Sequence, residues 1–383
     1  MMNLIDSQGL LSLVRTAIDE RTSTVIQANN INWPRIYKLA KKQGVVAVAW
    51  RGLEILHSKK MIGTDQLPDR GLKLQWALNA EHIEQRYSKQ HKLASELTDI
   101  YTNKGIKTLV LKGLAISQYY PIPQHRECGD LDCFLVKADN SQKCGIALRD
   151  AALPVSCYNE GNTIAMEEGA KVELDFYKHS HINYKGLVVE NHAFCTAVRG
   201  SRKLKAFERH LQTLLATRPT THIGDSKLLC PCADFNALFL TVHSFQHFLT
   251  EGIKLRHVLD WALLLRAEQN NIDWESFYEW CDKMHYTKFA DAMTAIAVDY
   301  IGVEISNKAI HTKSILRDRV LEDILFSNQA INNIKASKFT KRLMIIRNRM
   351  FGGWKYRELY EKSALWDTIQ MVAAFFIERK PRI

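Results

Sequence analysis

The sequence predicts a mostly helical α+β protein in which a small mixed β-sheet lies between two helical regions. Apolar residues recur at helical spacing through roughly the first hundred residues. Short apolar and β-branched runs, bounded by glycine and proline, follow from residue 106, and helical spacing returns at Ala233. We therefore expect a helical N-terminal region over 1–104, an α/β core over 105–232 and a helical C-terminal domain over 233–383.

The N-terminal region contains three helical patterns. Two of them are SLVRTAIDERT and PRIYKLAKKQGVVAVAWRGLEIL. Asn32, directly before Trp33 and Pro34, has the features of a helix start. The third is a long amphipathic stretch from Leu72 to Asn103, for which Gly105 is the stop signal.

The core begins with IKTLVLKG, a buried-strand pattern that ends in glycine, followed by the short helix LAISQYY and a second strand, GDLDCFLV. A helix-like piece is expected around 140–152. Further strand candidates are TIAMEEG and KVELDFYKH (171–179), whose strand-end His179 and His181 are expected to be exposed. THIGDSKLL (221–229) predicts a hairpin that turns at Gly224 and Asp225.

The C-terminal domain opens with two predicted helices that are broken near Gly252, and Asp273 is a predicted cap for WESFYEWCDKM. The chain of 383 residues carries a formal charge of +11, and 16 basic against 8 acidic residues from position 301 give that segment +8. A basic lobe attracts phosphates, nucleic acid or anionic lipid, although an ordinary solvated face explains it equally well.

Targeting and redox signals are weak in this sequence. MMNLIDSQGL lacks the basic and apolar regions of a secretory signal, and the longest apolar runs are only seven residues, too short for a transmembrane segment. We therefore expect a cytoplasmic protein. The eight cysteines include no CxxC pair, so we expect reduced structural thiols without zinc or disulfides.

Two aspartates stand out in RECGDLDCFLV (126–136). Residues i and i+2 of a strand share a face, so Asp130 and Asp132 are neighbours, while Leu131 and Cys133 face a core. Two carboxylates this close repel each other unless a cation compensates, and carboxylate oxygens suit Mg²⁺ or Mn²⁺. The plain alternative is a pair of solvated aspartates at a strand end.

A third carboxylate would complete such a metal site. The stretch VELDFY offers Glu173 and Asp175, again two residues apart on one strand face. If this strand lies beside the Asp130–Asp132 strand, three or four acidic groups converge to hold a metal on the phosphates of a nucleotide.

The preceding strand supplies positive charge. LVLKG ends in Lys112 and Gly113 before a helix, where a backbone without a side chain and a helix N-terminus both favour a phosphate. Arg126 precedes the aspartate pair by four residues. It either contacts a phosphate or holds the loop by pairing with an acid.

The stretch LVLKGLAISQYYP…HRECGDLDCFLV resembles the signature of a bacterial nucleotidyltransferase family of the DNA polymerase β-like superfamily. That family's pattern is a strand with Leu-Lys-Gly, a helix near Tyr-Pro, an Arg and then Gly-Asp-hydrophobic-Asp, with an acidic residue on a later strand. Glu173 matches the acidic place, and Asp175 stands where the family often has His. Lys112 also precedes Gly113 where the wider superfamily has Gly-Ser.

The resemblance implies a metal-dependent enzyme that moves a nucleoside monophosphate from an NTP to an acceptor, which is a small molecule, RNA or protein. Asp130, Asp132 and Glu173, with Asp175, would hold Mg²⁺ or Mn²⁺, and Lys112, Gly113 and Arg126 would bind the nucleotide. Glu173 or Asp175 could also take the acceptor's proton. The alternatives are a non-catalytic nucleotide- or partner-binding protein with the same fold and an enzyme that adds nucleotides to tRNA.

Overall fold

The computed structural model shows a mostly helical α+β protein with a mixed sheet, as the sequence predicts. It describes residues 4–22, 31–138, 146–148, 151–153, 157–174, 179–196, 202–326 and 353–361, and the isolated residues 340, 344, 347, 363 and 369. Most of the basic segment beyond residue 326 therefore lies outside the described residues.

The N-terminal region is helical, as the sequence predicts, but the first helix begins earlier than its pattern and the second pattern forms two helices. The helices of this region are α1 (Leu4–Ile18), α2 (Trp33–Gln43), α3 (Val46–Ser58) and α4 (Arg70–Asn103). The Asn32 side chain accepts a hydrogen bond from the backbone N–H of Arg35, which confirms the predicted start of α2. Gly105 follows the end of α4 at a φ of 74°, a left-handed conformation that glycine adopts without strain.

The main sheet has the strand order β5-β6-β7-β2-β1-β9-β8, and β3 pairs with β4 separately. The strands are β1 (Ile106–Val110), β2 (Leu131–Lys137), β3 (Ile146–Leu148), β4 (Ala151–Leu153), β5 (Lys171–Glu173), β6 (His179–Tyr184), β7 (Leu187–His192), β8 (Thr221–His222) and β9 (Leu229–Cys230). Strand β2 is antiparallel to β1 and parallel to β7, so the sheet is mixed. The predicted hairpin is the pair β8–β9.

Two expectations within the core were wrong. Part of the helix-like piece around 140–152 forms β3 and β4, and TIAMEEG lies largely in helix α6 (Tyr158–Glu167). Gly161, Ile164 and Ala165 are buried at helical spacing, so the apolar residues of this stretch fit a helix better than an alternating strand. The predicted strand 171–179 is split: only β5 and the first residue of β6 are strand, and 175–178 lie outside the described residues.

The later helices are the unpredicted α7 (Arg202–Thr217), then α8 (Ala233–Thr250), α9 (Leu255–Glu268), α10 (Trp274–Met284), α11 (Thr287–Ile296) and α12 (Arg317–Phe326), with a one-turn α5 (Leu114–Ser117) inside the core region. Gly252 separates α8 from α9 as predicted. Asp273 caps α10 by accepting a hydrogen bond from the N–H of Ser276, which confirms that cap.

Two hydrophobic cores cover the two faces of the sheet. In β2, Leu131, Cys133 and Leu135 point to the core shared with α4 and α6, which confirms the predicted direction of Leu131 and Cys133. Phe134 and Val136 point to the other core, which contains buried residues of both the N-terminal and the C-terminal helices. Because side chains alternate along a strand, Asp132 shares this second face with Phe134.

Among the described residues, no helix is long and apolar enough to cross a membrane. Seven cysteines are described; all are free thiols, and six of them are buried. Cys144 lies outside the described residues.

Candidate active site

Asp130 directly precedes β2, and Asp132 is the second residue of that strand. Asp132 is 2% exposed and Asp130 is half-buried, so neither is a freely solvated strand-end carboxylate. The backbone N–H of Leu111 donates to the carbonyl oxygen of Asp132 at 3.0 Å. This bond extends the β1–β2 ladder by one residue and places Lys112, the next residue, beside the aspartates.

The third carboxylate comes from β7. Asp132 pairs directly with Glu190 in the parallel register of β2 and β7. One carboxylate oxygen from each of Asp130, Asp132 and Glu190 lies within 4.8 Å of the other two. Three carboxylates at this spacing form a donor set that suits a hard divalent cation such as Mg²⁺ or Mn²⁺.

The Glu173 strand does not lie beside β2, so the condition under which Glu173 would join the aspartates is not met. Glu173 is exposed on β5 at the edge of the sheet, with β6 and β7 between it and β2. At about 4.8 Å between neighbouring strands, its backbone is about 14 Å from that of Asp132. Glu173 does face the same side, because it pairs with His181 and His181 pairs with Glu190. Asp175 lies outside the described residues.

Lys112 supplies the positive charge of the site. Its Nζ lies 3.1 Å from Oδ2 of Asp132, and its side chain is 19% exposed. Burial lowers the pKa of Lys112, but the charges of Asp132, Asp130 and Glu190 outweigh that effect and raise it. The ammonium is therefore protonated at neutral pH, inside a cluster with more negative than positive charge.

His192 is a site residue that the sequence reasoning missed. It lies two residues beyond Glu190 on β7 and on the same face, and it is fully buried. Its Nε2 is 3.1 Å from Oδ1 of Asp132, and its Nδ1 is 3.2 Å from the carbonyl oxygen of Phe194. The signal was present in the sequence: LVVENH repeats the i, i+2 spacing of polar groups seen in GDLDCFLV.

The pKa values of the two aspartates are shifted in opposite directions. Burial raises the pKa of Asp130, and the charges of Asp132 and Glu190 raise it further against the lowering by Lys112. Burial also acts to raise the pKa of Asp132, but Lys112 and the hydrogen bond with His192 hold it well below its ordinary value. Asp132 is therefore the firmly ionised member of the pair.

Gly113 directly precedes helix α5 and has a φ of 64° and a ψ of −111°, a backbone conformation that only glycine adopts without strain. A Cβ at this position would lie 3.6 Å from Nη1 of Arg126, which is an ordinary contact distance. The glycine is thus required by its backbone conformation rather than by lack of space. Because α5 is a single turn, its dipole adds little to the charge of Lys112.

Arg126 is buried and paired with an acid, which is one of the two roles left open by the sequence. Its Nη2 and Nε donate to the two carboxylate oxygens of Asp260 on α9, at 2.6 and 3.2 Å. The hydroxyl of Tyr120 donates to the same carboxylate at 2.8 Å. Arg126 therefore ties the loop before the aspartates to the C-terminal helices.

One comparison with known proteins identifies a family for this chain. A family model described as "Uncharacterised nucleotidyltransferase" matches residues 29–302, which is about seven-tenths of the chain. The matched range includes Lys112, the three carboxylates and Asp260. No curated protein and no solved structure matches the chain.

Proposed function

Because the chain belongs to this family of uncharacterised nucleotidyltransferases, we propose that it transfers a nucleoside monophosphate from an NTP to an acceptor in a metal-dependent reaction. The observation that carries the proposal is the convergence of Asp130, Asp132 and Glu190 on one face of the sheet, next to Lys112. We also propose that the fold belongs to the DNA polymerase β-like superfamily, because LVLKG and GDLDCFLV resemble the sequence pattern of that superfamily's bacterial nucleotidyltransferase family.

The three carboxylates would hold Mg²⁺ or Mn²⁺, which, when bound, neutralises charge on the phosphates of the NTP. We assign to Glu190 the role of third carboxylate, for which the sequence analysis named Glu173 or Asp175, and with it the option of accepting the proton of the acceptor. Lys112 would contribute a positive charge to the triphosphate, and the backbone N–H of Gly113 a hydrogen bond. Arg126 would act by positioning the loop, since its side chain donates to Asp260 and to the carbonyl oxygen of Glu127.

The experiment measures stabilisation of the purified protein by Mg²⁺ with each NTP. A ligand at a hundred times its dissociation constant stabilises the folded state by about 2.7 kcal/mol. We expect Glu190→Gln to lose this Mg²⁺-dependent stabilisation. The matched control is Glu173→Gln, which makes the same substitution on the same face of the sheet, at its edge. This variant should keep the Mg²⁺-dependent stabilisation. Loss in Glu173→Gln and retention in Glu190→Gln would overturn the assignment of Glu190.

Transfer itself is measured with NTPs labelled at the α-phosphate and with small-molecule, RNA and protein acceptors. Transfer of label to an acceptor, abolished by Asp132→Asn, is the expected result. Stabilisation by Mg²⁺–NTP without any transfer favours a non-catalytic nucleotide-binding protein. One observation favours that second candidate: both oxygens of Asp132 already have partners within the protein, Lys112 and His192.

A further inference from the structure

We propose that His179, Glu190 and His192 form a second cation site that takes a divalent transition-metal ion such as Zn²⁺, beside the three-carboxylate cluster. One potential ligand atom from each of these residues lies within 4.8 Å of the other two. The set differs from the first cluster in chemistry, because two of its three donors are imidazoles. The two sites share only Glu190.

Strand register brings these three side chains together. His179 of β6 pairs directly with His192 of β7, and Glu190 stands two residues before His192 on the same face. Nε2 of His179 is 3.6 Å from Oε1 of Glu190, and Nε2 of His192 is 3.7 Å from Oε2 of Glu190. Zinc ligands at about 2.0–2.2 Å in a tetrahedral arrangement lie about 3.4 Å apart. Both histidine–glutamate distances are therefore within a few tenths of an ångström of the spacing between two zinc ligands.

The hydrogen bonding of His192 orients it as a ligand. A carbonyl oxygen can only accept, so the 3.2 Å contact with Phe194 assigns the hydrogen to Nδ1 of His192. Nε2 then faces the carboxylates of Asp132 and Glu190, at 3.1 and 3.7 Å. A ring nitrogen between two carboxylates holds a proton or a metal cation. Metal-bound histidines characteristically donate their other ring N–H to a carbonyl or carboxylate, as His192 does here.

The donor set indicates which cations the site takes. Imidazole nitrogen suits first-row transition metals, whereas Mg²⁺ is bound by oxygen ligands and keeps several waters. The side chain of His192 is 1% exposed and that of His179 is 21% exposed, so the site is closed beneath and open to solvent on the His179 side. An ion can enter there, and water or a substrate atom can complete its coordination.

The test titrates metal-free protein with Co²⁺ in the absence of nucleotide and follows visible absorption, with bound Co²⁺ and Zn²⁺ counted after gel filtration. His179→Gln should weaken Co²⁺ binding at least about tenfold. The matched control is His82→Gln, an exposed histidine on α4 that should leave it unchanged. Asp130→Asn should also retain the Co²⁺ site, because Asp130 belongs only to the carboxylate cluster. A large excess of Mg²⁺ should not displace the Co²⁺.

Equal Co²⁺ affinity in the wild type and His179→Gln would overturn the inference. Loss of Co²⁺ binding in Asp130→Asn, or its displacement by Mg²⁺, would place the ion in the carboxylate cluster and overturn it as well. His179 is partly exposed, so its variant should fold even where a His192 variant does not; a melting curve confirms this. Because binding is measured without nucleotide, Co²⁺ bound through His179 with no Mg²⁺–NTP effect would support this site and reject the nucleotidyl-transfer proposal.

Discussion

Asp132→Asn is expected to destabilise the protein and Asp130→Asn is not, although both substitutions keep the side-chain shape and remove one charge. The sequence alone predicts that losing either aspartate relieves crowding of like charges. The structure changes that expectation for Asp132, because Lys112 and His192 compensate its charge within the fold. Asp130 has the raised pKa of the pair, so its ionised form is the one that the folded state disfavours.

The size of the Asp132 effect follows from its burial. Removing one partner of a buried ion pair destabilises a protein by about 3–5 kcal/mol. Asp132 is 2% exposed but Lys112 is 19% exposed, and Lys112 keeps Asp130 and Glu190 as neighbours, so the lower end applies. For a chain of 383 residues, a loss of about 3 kcal/mol corresponds to a fall in melting temperature of roughly 4 °C. Asp130→Asn should leave the melting temperature unchanged or raise it.

The pH dependence follows from the direction of each pKa shift. The pKa of Asp132 is lowered in the folded protein, so its contribution to stability is present above its unfolded pKa of 3.8 and is lost as pH falls through the folded value. The penalty of Asp132→Asn is therefore complete at neutral pH and shrinks in acid. The raised pKa of Asp130 has the opposite effect on stability. Protonated Asp130 stabilises the fold in acid, and this stabilisation is lost as the pH rises through the pKa of Asp130 in the folded protein.

The assay is thermal unfolding in EDTA, followed by far-UV circular dichroism from neutral to acid pH, for the wild type and both variants. EDTA removes any bound cation, so the melting temperatures report the metal-free protein. If Asp132→Asn melts at or above the wild-type temperature at neutral pH, then Lys112 and His192 do not compensate the charge, and like-charge crowding dominates as the sequence alone suggested. Equal destabilisation by both variants would also refute the reasoning.

Two further changes test the loop around the aspartates. Gly113→Ala forces a side chain into a φ of 64° and should cost about 1–3 kcal/mol, measured by thermal unfolding, whereas Gly129→Ala, which meets no atom within 4 Å, serves as the control. Arg126→Gln leaves Asp260 buried without its cationic partner and should destabilise the protein by about 3–5 kcal/mol. If Arg126 acts only on nucleotide, this variant would instead melt like the wild type and lose only the response to Mg²⁺–NTP.

The sequence by itself determined the local features of this protein. Asn32 and Asp273 cap helices because a side-chain oxygen satisfies a backbone N–H three residues away, and that needs no distant partner. Gly105 ends α4 for the same local reason, through its freedom to adopt positive φ. The shared face of Asp130 and Asp132 follows from the two-residue period of a strand. All of these depend on residues within one turn or one strand.

The tertiary structure decided which groups meet those aspartates. Strands β5 and β7 each present one glutamate, Glu173 and Glu190, to the same face of the sheet. Only the order of strands, with β7 beside β2 and β5 at the edge, selects Glu190 over Glu173. Arg126 likewise finds Asp260 134 residues along the chain. Strand order and helix docking are set by burial summed over the whole core, so no short stretch of sequence encodes them.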